Sequence, residues 1–106
     1  MQLTDAYDPQ NIFAKILRDE MPSLRIFEDE MTVAFMDIMP QALGHVLVIP
    51  RAAATNVLTL SPDDARAVMT TTHLLAPAIQ KAMDAPGLMI AQLNGSAAGQ
   101  SVPHFH

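Results

Sequence analysis

The chain ends in GQSVPHFH, residues 99–106, a stretch that sets two of the protein's four histidines two residues apart. In an extended backbone side chains alternate, so His104 and His106 project from one face about 7 Å apart and Phe105 from the other. Two neutral imidazoles on one face suit several kinds of chemistry. They could contribute to a zinc site, with His45, which begins another extended stretch, as the available third ligand. One of them could instead attack phosphorus. A ring whose Nδ1–H is tied to a carbonyl presents its Nε2 lone pair to an electrophile, and near neutral pH enough of it is unprotonated to react. A solvated polar tail with no site fits the same spacing.

Attack on phosphorus needs donors that hold the phosphate. Just upstream, NGSAAGQS offers a glycine-lined backbone with Asn94, Gly99, Gln100 and Ser101, groups that address phosphate oxygens without adding net charge. The same residues also suit an ordinary polar turn. Asp37 stands where an extended run gives way to a turn, where a carboxylate can accept two hydroxyl hydrogen bonds or close an Asx-turn. His73 falls in the middle of a helical pattern and suits a surface or packing role.

These residues need a scaffold, and the chain supplies short elements. Residues 1–10 read as a flexible lead-in. DPQNIFAKILRDEMP reads as a short helix with Pro9 in its first turn and Ile12, Phe13, Ile16 and Leu17 on one face. LRIFED and TVAFMD form a hairpin pattern, and HVLVIP is a nearly continuous apolar run, as expected of a strand covered on both faces. SPDDARAVMTTTHLLAPAIQKAMDAPG is the longest helical pattern, with Ser61 as N-cap, Pro62 in the first turn and Asp63 and Asp64 at the positive end of the dipole. Its apolar face comprises Ala65, Val68, Met69, Ala76, Ile79 and Met83, and Pro77 predicts a kink or break. LMIAQLN and SVPHFH read as fourth and fifth strands about the turn GSAAG. Together these give a single α+β domain over residues 1–106, with two helices and a mainly antiparallel five-stranded sheet.

Composition narrows the function. The net charge is -5 and the six basic residues are scattered, which argues against binding a nucleic-acid backbone. There is no cysteine, hence no disulfide and no thiolate metal site. Apolar runs such as VLVIP are far too short to cross a bilayer, and MQLTDAYDPQ has no signal pattern, so the expectation is a cytoplasmic protein without a membrane partner.

Several separated segments agree in order and spacing with one known group. NIFAKILRDEMPSLRIFEDEMTVAFMDIMPQALGHVLVIPR, an asparagine ahead of a glycine turn, and GQSVPHFH resemble the histidine-triad (HIT) family of nucleotide hydrolases and transferases, from about Asn11 onward. By position, His104 corresponds to the first triad histidine and His106 to the second, which in that family attacks the α-phosphate and carries the nucleotidyl group. The third histidine would lie just past His106, which on this reading implies a chain cut within its active-site strand. Carried over in the same way, His45 would support the nucleophile, and Ser101 would join His104, His106 and His45 in the catalytic set. Asn94, Gly99 and Gln100 would hold phosphate, Asp37 would hold the ribose hydroxyls, and Phe13, Ile16, Met21, Phe35, Ile38 and Leu47 would surround the base.

The resemblance implies hydrolysis at the α-phosphate of purine nucleotide conjugates, nucleoside phosphoramidates foremost, through a covalent nucleotidyl-histidine. It implies no cofactor and no bound metal, and a homodimer joined edge to edge. Dinucleoside polyphosphate hydrolysis and a nucleotide-binding module without turnover are the alternative readings, and the zinc-holding protein is a third.

Overall fold

The computed structural model describes residues 1–106. Three strands, β1 (Arg25–Glu28), β2 (Thr32–Met36) and β3 (Val46–Pro50), form an antiparallel meander in that order. Asp29 makes the β1–β2 turn, its Oδ1 accepting the Met31 and Thr32 N–H groups at 2.9 and 2.7 Å. In the β2–β3 ladder Val33 faces Ile49 and Phe35 faces Leu47, and because side chains alternate, these four share one side of the sheet.

That side is covered by α1 (Ile12–Leu17), whose Phe13 and Ile16 join Val33, Phe35 and Ile49 in one core cluster, with Leu17, Leu47 and Val102 packed against it. The opposite side is covered by α2 (Pro62–Met83), anchored to the sheet by a buried 2.7 Å hydrogen bond between the Thr32 and Thr71 hydroxyls. A smaller cluster of Ala54, Leu60 and Phe105 packs against Ala65 and Val68 of α2. β2 and β3 therefore lie between two helices, as the unbroken apolar run of HVLVIP predicts.

α1 is shorter than its sequence pattern. It opens at Asn11, whose Oδ1 accepts the Ala14 N–H at 2.9 Å, because Asp8 first closes a turn by accepting from the Gln10 N–H and the Asn11 side chain. Pro9 lies in that turn, outside the helix. The helix stops where Asp19 turns left-handed at φ 60°, with the Glu20 N–H reaching back to the Lys15 carbonyl and the Asp19 N–H to Ile16. α2 begins at Ser61 as expected, its Oγ accepting the Asp64 N–H at 3.1 Å.

Four expectations need correction. α2 runs unbroken through Pro77, which lies on its exposed side. Met69 is 55% exposed and not on the buried face, and the fully buried residue of α2 is Thr71. The sheet has three strands, not five. Residues 88–94 form no regular element and make no backbone–backbone hydrogen bond, and residues 101–106 make a single one, from the Phe105 N–H to the Ala54 carbonyl at 2.8 Å, with Pro103 contributing no donor. Residues 1–10 are fastened, not free: the Met1 carbonyl accepts the Ser96 N–H at 3.1 Å and the Leu3 carbonyl accepts the Asn56 amide at 2.9 Å. No helix is long and apolar enough to cross a membrane.

Candidate active site

The terminal histidines sit on the α1 side of the sheet, His104 at the β3 end marked by Pro50 and His106 two residues further on, against Phe13. Their alternation holds even without a strand ladder. Both imidazoles approach the Phe13 ring edge-on, His106 at 5.0 Å and His104 at 6.4 Å between centroids, while Phe105 turns into the cluster beneath α2.

His104 is fully buried. Its Nε2 lies 2.8 Å from the Pro50 carbonyl and its Nδ1 lies 2.6 Å from the Tyr7 hydroxyl. A carbonyl only accepts, so Nε2 carries the proton; burial then keeps the ring below the ordinary histidine range, opposed by the Pro50 carbonyl and aided by the neighbouring His106. In the neutral ring Nδ1 is a bare lone pair that takes the Tyr7 O–H. Both nitrogens are spent, so His104 positions and does not attack.

His106 is the opposite case. Its Nδ1 lies 2.7 Å from the His104 carbonyl and must donate to it, which fixes the tautomer and leaves Nε2 with a lone pair and no partner. The ring is half-buried, and since no buried side-chain nitrogen or oxygen lacks a partner, this Nε2 reaches the surface. An imidazole held by one nitrogen against a backbone carbonyl, with the other open, is equipped for nucleophilic attack.

The turn before the histidines is built from inside. Gly95 and Gly99 take φ of 81° and 96°, left-handed values that bracket the short 3-10 turn Ser96–Ala98. Gln100 is buried and braces it, its carbonyl oxygen accepting the Gly95 N–H at 2.7 Å and its amide donating to the Thr55 and Val102 carbonyls. Asn94 is similarly occupied, accepting the Val57 N–H at 2.7 Å and pairing with Gln92. The Gln100 side chain is therefore spent on the loop, while Asn94 keeps one amide N–H beyond its bond to Gln92. Ser101 is exposed with its hydroxyl uncommitted to any protein group.

Asp37 and His45 face each other at the other end of the β2–β3 pair, with Asp37 Oδ2 3.4 Å from His45 Nε2. Asp37 Oδ1 accepts the Met39 N–H at 2.9 Å, so the Asx-turn and the contact with His45 coexist. The remaining His45 nitrogen accepts the Gln41 N–H at 3.2 Å, and no hydrogen bond joins it to His106. No three ligating side chains gather anywhere, which removes the His45, His104 and His106 zinc set. Of the six apolar residues expected around a base, Phe13, Ile16, Phe35 and Leu47 come together in the core cluster. Ile38 is 83% exposed and Met21 40% exposed, outside that cluster. A surface depression runs over Asp19–Arg25; it includes Met21 and neither terminal histidine. His73 is exposed on α2, away from this set.

The residue that the sequence did not reveal is Tyr7. Its partner lies 97 positions away, and no periodicity or motif links them. Its one available signal is that it is the protein's single tyrosine, placed four residues before the asparagine that caps α1.

With the geometry in place, comparisons with known proteins agree on one family. Residues 18–106 match the HIT domain. An uncharacterized 13.2 kDa HIT-like protein of Azospirillum brasilense is 37% identical, covering 98% of this chain and 87% of its own. An adenosine 5'-monophosphoramidase of Saccharomyces cerevisiae is 35% identical over 93% of this chain, which spans 60% of that enzyme's length. The crystal structure of a Hit-like protein of Bartonella henselae superposes with a TM-score of 0.91 at 45% identity, covering 93% of this chain and 77% of that one.

Proposed function

The chain belongs to the HIT domain family, and from that premise we propose that it hydrolyses purine nucleotide conjugates at the α-phosphate, nucleoside phosphoramidates first among them. His106 Nε2 attacks the α-phosphorus, a P–N bond forms to the imidazole as the bond to the leaving group breaks, and the leaving amine departs with a proton. Water then attacks the same phosphorus, releasing the nucleoside monophosphate and restoring the free ring.

The observation that carries this reading is the 2.7 Å contact from His106 Nδ1 to the His104 carbonyl, which leaves the other ring nitrogen bare and reachable. The phosphate then lies beside the Ser101 hydroxyl and the Gly99 backbone. Asp37 accepts the ribose hydroxyls, exchanging the loose His45 contact for them. The relative called an adenosine 5'-monophosphoramidase supports the choice of leaving group. The deciding experiment is incubation with adenosine 5'-phosphoramidate followed by phosphorus NMR. AMP release that disappears in His106→Ala supports the reading, and release unchanged by that substitution overturns it.

A homodimer belongs to the same proposal. Residues 88–94 carry Leu88, Met89, Ile90 and Leu93 at 53, 82, 63 and 43% exposure along a backbone with no ladder partner, a segment suited to pairing with a second copy. Light scattering that returned the mass of one 11.5 kDa chain would remove it.

A further inference from the structure

We propose that Tyr7 is a positioning residue for this site, its hydroxyl locking the His104 ring in the Nε2–H form and thereby fixing the carbonyl that aims His106. The catalytic half of this inference rests on the function proposed above. The structural half stands on three linked hydrogen bonds: Tyr7 O–H to His104 Nδ1 at 2.6 Å, His104 Nε2–H to the Pro50 carbonyl at 2.8 Å, and His106 Nδ1–H to the His104 carbonyl at 2.7 Å.

Each link constrains the next. Pro50 can only accept, so it dictates where the His104 proton sits, and a buried bare Nδ1 then requires a donor. Tyr7 is the donor present, and its ring also meets the imidazole edge-on at 5.6 Å. With both nitrogens held, the ring can neither flip nor exchange tautomers, and residue 104 cannot turn its carbonyl away from His106. Tyr7 is itself held in place because its segment is fastened to the glycine turn. Ser96 bonds to Met1, Asn56 bonds to Leu3, and the Leu3 side chain lies within 3.3 Å of where a Cβ on Gly95 would sit. The first residues thus form a strap that crosses the phosphate turn and ends on the histidine beside the nucleophile.

Tyr7→Phe keeps the ring and its edge contact and removes only the donor, which separates positioning from packing. Long-range nitrogen–proton NMR should show His104 as a single Nε2–H form in the native protein. In Tyr7→Phe it should show two exchanging forms, with the His106 Nδ1–H signal lost to water. With adenosine 5'-phosphoramidate, kcat should fall roughly 10-fold with KM within about two-fold. Unchanged nitrogen signals at both rings, or native kcat, would overturn the inference.

Because Tyr7 is the single tyrosine, difluorotyrosine supplied during expression enters that position alone and preserves packing if the phenylalanine variant fails to fold. Fluorination makes a phenol more acidic, and an ionised phenol ceases to donate, so kcat should decline with rising pH sooner than in the native protein. A profile coincident with the native one counts against Tyr7. If native protein releases no AMP, the function reading fails while the nitrogen signals still decide the hydrogen-bond lock.

Discussion

The two ends of the β2–β3 pair are built on opposite plans. At the Thr32–Pro50 end His104 is fully buried and bonded at both nitrogens, Phe13 packs on both imidazoles, and the open group, two residues on, is the single Nε2 of His106. At the Met36–Val46 end the Asp37 and His45 side chains keep 21 and 28% of their surface and meet at 3.4 Å, while Ile38, Met39 and Leu43 stand 81 to 90% exposed. The difference assigns the work. A nucleophile benefits from a rigid mount that costs nothing to organise at the moment of reaction. A recognition surface benefits from groups whose present partners are weak enough to be exchanged for those of a ligand.

The sharpest way to break this contrast is at the nucleophile. His106→Ala should lower phosphoramidate turnover by roughly 10³-fold or more while AMP affinity, measured by calorimetry, stays within a few-fold, since the ring acts in the chemical step. Comparable losses in both would mean that the rigid end also does the binding. Next in size is His104→Ala, which empties a fully buried site and strands the Pro50 carbonyl and the Tyr7 hydroxyl. It should cost about 2–4 kcal/mol in urea unfolding. The corresponding change at His45, more than a quarter exposed and loosely paired, should cost less than about 1 kcal/mol. Equal costs would erase the distinction between the ends.

The sequence made one end more legible than the other. The shared face of His104 and His106 follows from period-two geometry, and it survives in a segment that pairs with nothing. Ser61, Pro62 and the apolar run of β3 declare their elements through local chemistry. Strand propensity in LMIAQLN, by contrast, says what would suit a sheet but supplies no neighbour, so the fourth strand does not form. Residue type also shows that Asn94 and Gln100 carry donors and acceptors without showing where these are spent; Gln100 spends all of them in the loop, and Asn94 keeps one N–H. Tyr7 was invisible because its contact is entirely tertiary.

At the open end, Asp37→Ala should weaken AMP binding by about 1–3 kcal/mol through lost hydrogen bonds to a charged acceptor. The same change in a deoxyribose analogue lacking the 2'-hydroxyl should cost less. An equal loss with both ligands would place the carboxylate away from the ribose and return it to its turn, where it accepts the Met39 N–H.

The smallest effect tests the rigid end through acidity. Burial holds folded His104 below the ordinary histidine value of 6.5, so in mildly acidic solution the unfolded chain takes a proton there that the folded chain refuses. Protonation then favours unfolding, and stability should decline as pH falls below about 6.5, by at most about 1.4 kcal/mol per pH unit from this group. The carboxylates held low by hydrogen bonds, Glu20, Glu28 and Asp29, start from 4.5, 4.5 and 3.8 and so act further into acid. Urea midpoints between pH 7.5 and 5.5 therefore isolate the histidines. A slope that flattens in His104→Asn assigns it to this ring, and a slope unchanged by that substitution would show that the imidazole is not kept neutral by its burial beneath Tyr7 and Pro50.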